Sequence, residues 1–343
     1  MQQLSCTGLG RVEWLEVPEP RLASSTAALI RPLAVARCDI DRIQITRIPF
    51  PEPYALGHEC VAEVVEIGDA VRDVRVGQRV VVPYQISCGH CRTCALGYTA
   101  SCEVEHGACM YGMRPFSERE FGGMLCDRVL VPYADAMCVA LPDDLAPTDA
   151  AALADNATMG YGAVVEPLRR HPGAEVAVIS DGSPSVPLFA AQAALALGAG
   201  RVDLLSRSRE ELELAERLGV TPVETDFRSR AARYPVVLDG GGMSVDTLRY
   251  ALLSTDVGGV CVNVGPLVGP TQDASLPLGA LYGRGIRFHC GAIHTRTHLP
   301  GALGLVRAGR LRPRDVTTRV VARPDAAAAY VDPAIKLVVD FEA

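Results

Sequence analysis

Lysine is nearly missing from this chain. Lys336 is the one lysine among 33 basic residues, and every other one is arginine. Biased codon usage would give that composition, and no function follows from it. Blocks of basic residues are also absent, and the net charge is -7, which argues against nucleic acid as the main partner. No stretch approaches the ~18 consecutive apolar residues of a spanning helix, so no membrane partner is expected. The first residues, from Met1 to Cys6, offer neither a basic n-region nor an apolar h-region. Export by a signal peptide is therefore not expected, and the cytoplasm is the expected compartment. No internal repeat is visible.

What is present describes a globular protein with ample core. The chain has 343 residues, 49% of them apolar and 21% charged, a length that predicts two domains. Twelve cysteines in a long chain without an export signal predict metal binding and free thiols over disulfides. Cys6, Cys60, Cys109, Cys126, Cys138, Cys261 and Cys290 are scattered and read as ordinary buried or half-buried thiols.

Cys88, Cys91, Cys94 and Cys102 are spaced x2, x2 and x7, which lets four thiolates close on one tetrahedral ion. Gly89 and Gly97 allow the tight turns this needs. Four thiolates leave no open position, so a zinc here would be structural. His90 reads as a turn residue inside the loop.

A second candidate begins at Gly57-His58-Glu59, at the mouth of an apolar run from Val61 to Ile67 that reads as a strand. An imidazole beside a carboxylate can bind a metal or be an ordinary surface pair. The metal reading gains from Cys38 and Asp41 before it, at the start of a short predicted helix, and from Asp155 after it. Asp155 alone can equally be the N-cap of a helix beginning at Asn156.

With these go Phe121-Gly-Gly, Val129-Leu-Val-Pro-Tyr-Ala-Asp and Asp155-Asn-Ala-Thr-Met-Gly-Tyr-Gly-Ala. Together they resemble the zinc-dependent medium-chain alcohol dehydrogenases over essentially the whole length. The resemblance implies an α/β protein of two parts. A GroES-like irregular β-barrel catalytic domain spans 1–156 and carries the structural zinc lobe at about 86–104. A Rossmann doubly wound parallel-sheet domain spans 157–289, and 290–343 return to the catalytic domain. It implies Cys38, His58 and Asp155 as catalytic zinc ligands, with Asp155 where many relatives have Cys. Glu59 falls where a residue can approach or replace a ligand, and Asp41 falls where a carboxylate orients the ligand His, as metal-bound imidazoles usually require. Three protein ligands leave one position for a water or substrate oxygen.

Strands at 175–180, 201–206, 236–240, 259–265 and 286–291 alternate with helices at 186–197 and 209–218, the pattern of a doubly wound sheet. By the resemblance the nucleotide loop falls at Gly182-Ser-Pro-Ser-Val-Pro187. Only the first of its three fingerprint glycines is kept. Pro184 and Pro187 replace the others, while the N–H groups of Ser185 and Val186 still stand at a helix start. Ser206-Arg207-Ser208-Arg209 closes the second strand, where an acid would bind the adenosine ribose. Arginine there favours a 2′-phosphate, hence NADP over NAD, or is a solvated basic turn. Lys336 matches a family residue that contacts the pyrophosphate, and Asp239-Gly-Gly-Gly the turn beside the nicotinamide. His289, His294 and His298 read as surface or cleft residues.

Ile40 and Ile43 stand where relatives carry a hydroxyl and a relay histidine, and Asp39 where some carry arginine. Neither isoleucine can move a proton, so Thr158, Glu59 or water would have to. The leading expectation is a zinc-dependent oxidoreductase interconverting a small-molecule alcohol with an aldehyde or ketone, using zinc and NADP or NAD. The alternative is a non-redox zinc Lewis-acid enzyme for elimination, cyclisation or isomerisation on the same scaffold. The resemblance implies a homodimer or homotetramer, since relatives with a structural zinc lobe form these.

Overall fold

The computed structural model describes residues 1–343 apart from 23, 52, 106–107, 118, 120, 229–231, 242–243 and 266–270. Gly242 of the Asp239-Gly-Gly-Gly turn thus lies outside the described residues. Packing divides the chain into two compact units. One comprises Met1–Thr158, His294–Leu303 and Pro313–Ala343; the other comprises Met159–Ile293 and Gly304–Arg312. No helix among the described residues is long and apolar enough to cross a membrane.

The first unit is built on a seven-stranded, mostly antiparallel sheet whose long members are Ala28–Arg37 and Glu59–Ile67. Pro32 is accommodated at an irregularity in their pairing, where a missing N–H costs no ladder bond. The core beneath is aliphatic and sulfur-rich: Leu4, Ile30, Val35, Leu56, Cys60, Val80 and Met124 are all buried. Pairing brings three strand ends together. Ala36 lies opposite Glu59, and Arg37 opposite Leu337. Cys38, His58 and Lys336 each sit one or two residues from those pairs, so the sheet register itself delivers them to one place.

The second unit is a six-stranded sheet in the order Thr221–Glu224, Arg201–Ser206, Glu175–Ser180, Tyr234–Gly240, Thr255–Asn263, Arg287–Cys290. Every neighbouring pair is parallel. Both faces of such a sheet are covered, which is why Val176, Ala177, Val178 and Ile179 run on as buried apolar residues without alternation. Chain order reverses between Glu175–Ser180 and Tyr234–Gly240, so the switch point lies at the turn after Ser180, where such sheets bind ligands.

The helix Ser185–Ala196 leaves that turn. Gly182 opens it at φ +88, in the left-handed region. Pro187 fills space that a fingerprint glycine would leave, and the opposing strand answers it. A Cβ on Gly240 would meet Pro187 Cγ at 2.5 Å. The small residue has changed sides of the helix–strand contact.

Candidate metal centres

Cys38 ends the chain's exit from the Ala28–Arg37 strand and caps the helix Asp39–Arg47. His58 and Glu59 open the Glu59–Ile67 strand. Asp155 follows a short turn of helix at Ala151–Ala154 and precedes the helix Asn156–Arg170. One ligand atom from each of Cys38, His58, Glu59 and Asp155 can be chosen so that all four lie within 4.8 Å of one another, and all four residues are buried.

The surroundings orient this set. Asp41 Oδ1 is 3.2 Å from His58 Nδ1, and Asp155 Oδ2 is 3.3 Å from His58 Nε2. Asp41 is itself held by the Tyr330 hydroxyl, which donates to Oδ2 at 2.8 Å, and by Gln44 Nε2, which donates to Oδ1 at 3.1 Å. Asn156 Nδ2 donates to Cys38 Sγ at 3.2 Å and to Asp155 Oδ2 at 2.8 Å. Lys336 Nζ donates to Asn156 Oδ1 at 2.7 Å and to Glu59 Oε1 at 2.5 Å.

Both ring nitrogens of His58, Glu59 Oε2 and Asp155 Oδ1 are buried with no hydrogen-bond partner. Buried polar atoms without partners are costly; His58 Nδ1 faces Asp41, and the other three belong to residues that converge on one place, where a cation would satisfy them. The donor set of thiolate, imidazole and carboxylate suits zinc. Electrostatics agree. Burial pushes the Cys38 thiol up to about 12, with Asp155 adding to it, and burial raises the Glu59 carboxyl against the pull of Lys336. His58 is raised although burial opposes it, because Asp41, Asp155 and Cys38 all favour its protonated form. A dication would take the place of these protons.

The second cluster is the lobe. Cys88, Cys91, Cys94 and Cys102 bring their sulfurs within the same 4.8 Å. The Cys91 N–H donates to Cys88 Sγ and the Cys88 N–H to Cys102 Sγ, each at 3.4 Å. Gly89 and Gly97 adopt φ +79 and +87, and a Cβ on Gly89 would strike Ala136 Cβ at 2.6 Å. Hydrogen bonding from Thr93 leads in pulling the Cys91 thiol down to about 5. His90 Nδ1 lies 3.0 Å from the Cys88 carbonyl, a turn contact. All twelve cysteines are free, and Cys290 is exposed rather than buried or half-buried, because its strand is the edge of the parallel sheet.

At the second strand end, the Arg207 guanidinium lies over the Phe227 ring at 5.0 Å, donates to the Asp226 carbonyl at 2.9 Å and stands 3.6 Å from Asp181 Oδ2. Arg209 pairs with Glu213 along its helix. The Ser206 hydroxyl is turned inward and donates to Glu211 Oε2 at 2.7 Å. Ser185 and Val186 occupy the first turn of their helix.

Residues 24–143 match the family model of the alcohol dehydrogenase GroES-like domain. Over 338 residues the chain is 29% identical to a protein of Mycobacterium tuberculosis named "Probable zinc-binding alcohol dehydrogenase", covering 96% of this chain and 84% of that one. It is 34% identical to a glutathione-independent formaldehyde dehydrogenase of Pseudomonas aeruginosa over 57% of this chain and 51% of the relative. The solved alcohol dehydrogenase TADH of Thermus sp. ATN1 superposes with a TM-score of 0.89 at 26% identity, over 99% of each chain. The chain is similar over nearly its whole length to zinc-dependent medium-chain alcohol dehydrogenases.

This dehydrogenase is therefore an alcohol dehydrogenase-like oxidoreductase, with a GroES-like first unit and a Rossmann-like second one. The structure brings together Cys38, His58, Glu59 and Asp155, with Asp41 against His58, the residues that sequence reasoning singled out. That reasoning missed Asn156, Tyr330 and Gln44, which hold that set in place. For Asn156 there was a signal, its position directly after Asp155. For Tyr330 there was none, since it lies 289 residues from its partner. Lys336, expected at a pyrophosphate, has its ammonium bonded to Glu59 and Asn156 in the candidate metal centre. Thr158 donates its hydroxyl to the Leu153 carbonyl at 2.6 Å.

Proposed function

We propose that this dehydrogenase interconverts a small-molecule alcohol and an aldehyde or ketone at a zinc held by Cys38, His58 and Asp155, with NADP preferred to NAD. The observation that carries this is the set of buried donors on His58, Glu59 and Asp155 without partners. Zinc bound there would polarise the alcohol or carbonyl oxygen as a Lewis acid. Asp41 holds the His58 ring through Nδ1 and leaves Nε2 for the metal. Glu59 has one oxygen on Lys336 and the other, Oε2, without a partner, so it is the group here best able to hold a proton that Ile40 and Ile43 cannot. Thr158 is less suited, because its hydroxyl hydrogen is already given to Leu153.

The lobe zinc would be structural, bound by Cys88, Cys91, Cys94 and Cys102. Gly182, Ser185 and Val186 would meet the pyrophosphate at the helix N-terminus. Arg207 supports the choice of NADP, since a guanidinium at the end of the second strand, held over Phe227, would suit a 2′-phosphate. Ser206 would contribute by fixing the turn rather than by touching the ribose. Lys336 would act through Glu59 and Asn156, with a pyrophosphate contact as an additional role. The edge strand Arg287–Cys290 and the exposed Tyr282 and Leu278 near it support a homodimer or homotetramer.

The test is a fluorescence titration with NADPH and NADH together with a metal assay. NADPH binding tighter than NADH, two zinc per chain and alcohol-dependent NADP reduction are expected. No nicotinamide binding at millimolar cofactor would sink the dehydrogenase reading; tight NADH binding without an NADPH response would sink the cofactor preference.

A further inference from the structure

Asn156 is fully buried, and its carboxamide touches three members of the metal centre at once. Its amide nitrogen faces two anionic groups, Cys38 Sγ at 3.2 Å and Asp155 Oδ2 at 2.8 Å. Its oxygen faces a cation, Lys336 Nζ at 2.7 Å. The orientation is chemically fixed. Turning the amide over would set NH2 against an ammonium and oxygen against a carboxylate.

We propose that Asn156 is a positioning residue for the catalytic metal: it ties the Cys38 thiolate and Asp155 Oδ2 together, lowers the donor strength of the thiolate, and leaves Asp155 Oδ1 as the oxygen given to the ion. Two features support this. Asp155 Oδ1 is the carboxylate atom without a partner, whereas Oδ2 is shared between Asn156 and the neighbourhood of His58. An N–H donor on a thiolate withdraws charge from sulfur, so a metal it binds is left more electrophilic. Lys336 completes the device. By holding the oxygen end of Asn156 and one oxygen of Glu59, it keeps the amide from rotating.

This rests on the reading that Cys38, His58 and Asp155 hold a metal, and the test separates the two. The full chain is freed of metal and titrated with cobalt(II), following visible absorption and competition with a chelator. A Cys38→Ser variant identifies which bands belong to this centre and which to the lobe. In Asn156→Ala the Cys38 charge-transfer band is expected to move to lower energy, and affinity at this centre to fall about 10–100-fold, with the lobe bands unmoved. Asn156→Asp is nearly isosteric, keeps the bond to Lys336 and removes both N–H donors. It should shift the same band in the same direction if the alanine variant does not fold. An unmoved band with affinity within about twofold of wild type, in whichever variant folds, overturns the role of Asn156 alone. Wild-type protein that binds no cobalt at the position lost in Cys38→Ser overturns both the metal centre and the proposal.

Discussion

Lys336 Nζ lies 2.5 Å from Glu59 Oε1, and both side chains are fully buried. The chain's one lysine is thus an internal cation paired with Glu59 of the candidate metal centre rather than a surface charge. It offsets a buried carboxylate that stands among Asp41, Asp155 and Cys38, and it anchors Asn156. Arginine supplies the chain's other basic residues, yet a compact ammonium is found where two acceptors must be met at one point.

Lys336→Met should therefore be strongly destabilising. It leaves Glu59 and Asn156 Oδ1 buried without their donor, a loss of about 3–5 kcal/mol for a broken buried pair. Urea unfolding of the metal-free chain measures it. A loss below about 1 kcal/mol would show that the pair is solvated rather than internal.

The lobe should behave as a separate metal site. Cys94→Ser is expected to lower zinc from two to one per chain and to reduce the melting temperature, because structural zinc contributes folding energy directly. Cys38→Ser should also lose one zinc and abolish turnover, but leave the lobe protected from proteolysis. Loss of both ions in either variant would contradict two independent clusters.

Asp239 should impose a pH dependence on stability. Burial pushes its carboxyl up to about 6, although Asn263 and the Gly241 N–H pull it down. The folded chain then binds this proton more tightly than the unfolded chain. The stabilisation it gives is complete below the unfolded value near 4 and is lost as pH rises through about 6. At roughly 1.4 kcal/mol per unit, the size is on the order of 2–3 kcal/mol. Asp239→Asn should gain on wild type by that order between about pH 4 and pH 7 in urea unfolding. Parallel curves for the two proteins would show that Asp239 does not titrate in this window.

Arg207→Ala should weaken NADPH by about 10–100-fold and NADH by less than about threefold, a difference of roughly 1–3 kcal/mol. Fluorescence titration reads both. Equal losses would mean that Arg207 only shapes the turn with Asp226 and Phe227.

Gly240→Ala should cost about 1–3 kcal/mol, since its Cβ would stand 2.5 Å from Pro187 Cγ and 2.9 Å from the Ile179 carbonyl oxygen. Adding Pro187→Ala should recover part of the loss, because the two sites are in contact. Additive losses in thermal unfolding would show that the helix and strand do not meet there.

What the sequence determined by itself was what can be written locally. Four cysteines within one short loop must come near one another whatever surrounds them, and their spacing with Gly89 and Gly97 was enough to see the lobe. Short apolar strands such as 175–180 alternating with helices showed a doubly wound sheet, because each crossover helix must pack back on the sheet it leaves. That Cys38, His58 and Asp155 could share one metal was legible chiefly through a resemblance, since no local rule joins three distant stretches.

Only the tertiary structure decided how those ligands are held. Tyr330 reaches Asp41, Lys336 reaches Glu59, and Asn156 reaches Cys38 across 289, 277 and 118 residues of chain. Gly240 faces Pro187 and so answers a proline that the nucleotide loop alone makes look out of place. The physical reason is the same in each case. A hydrogen bond or a packing contact is set by where strand register and helix packing carry two atoms, and register is a property of the sheet as a whole.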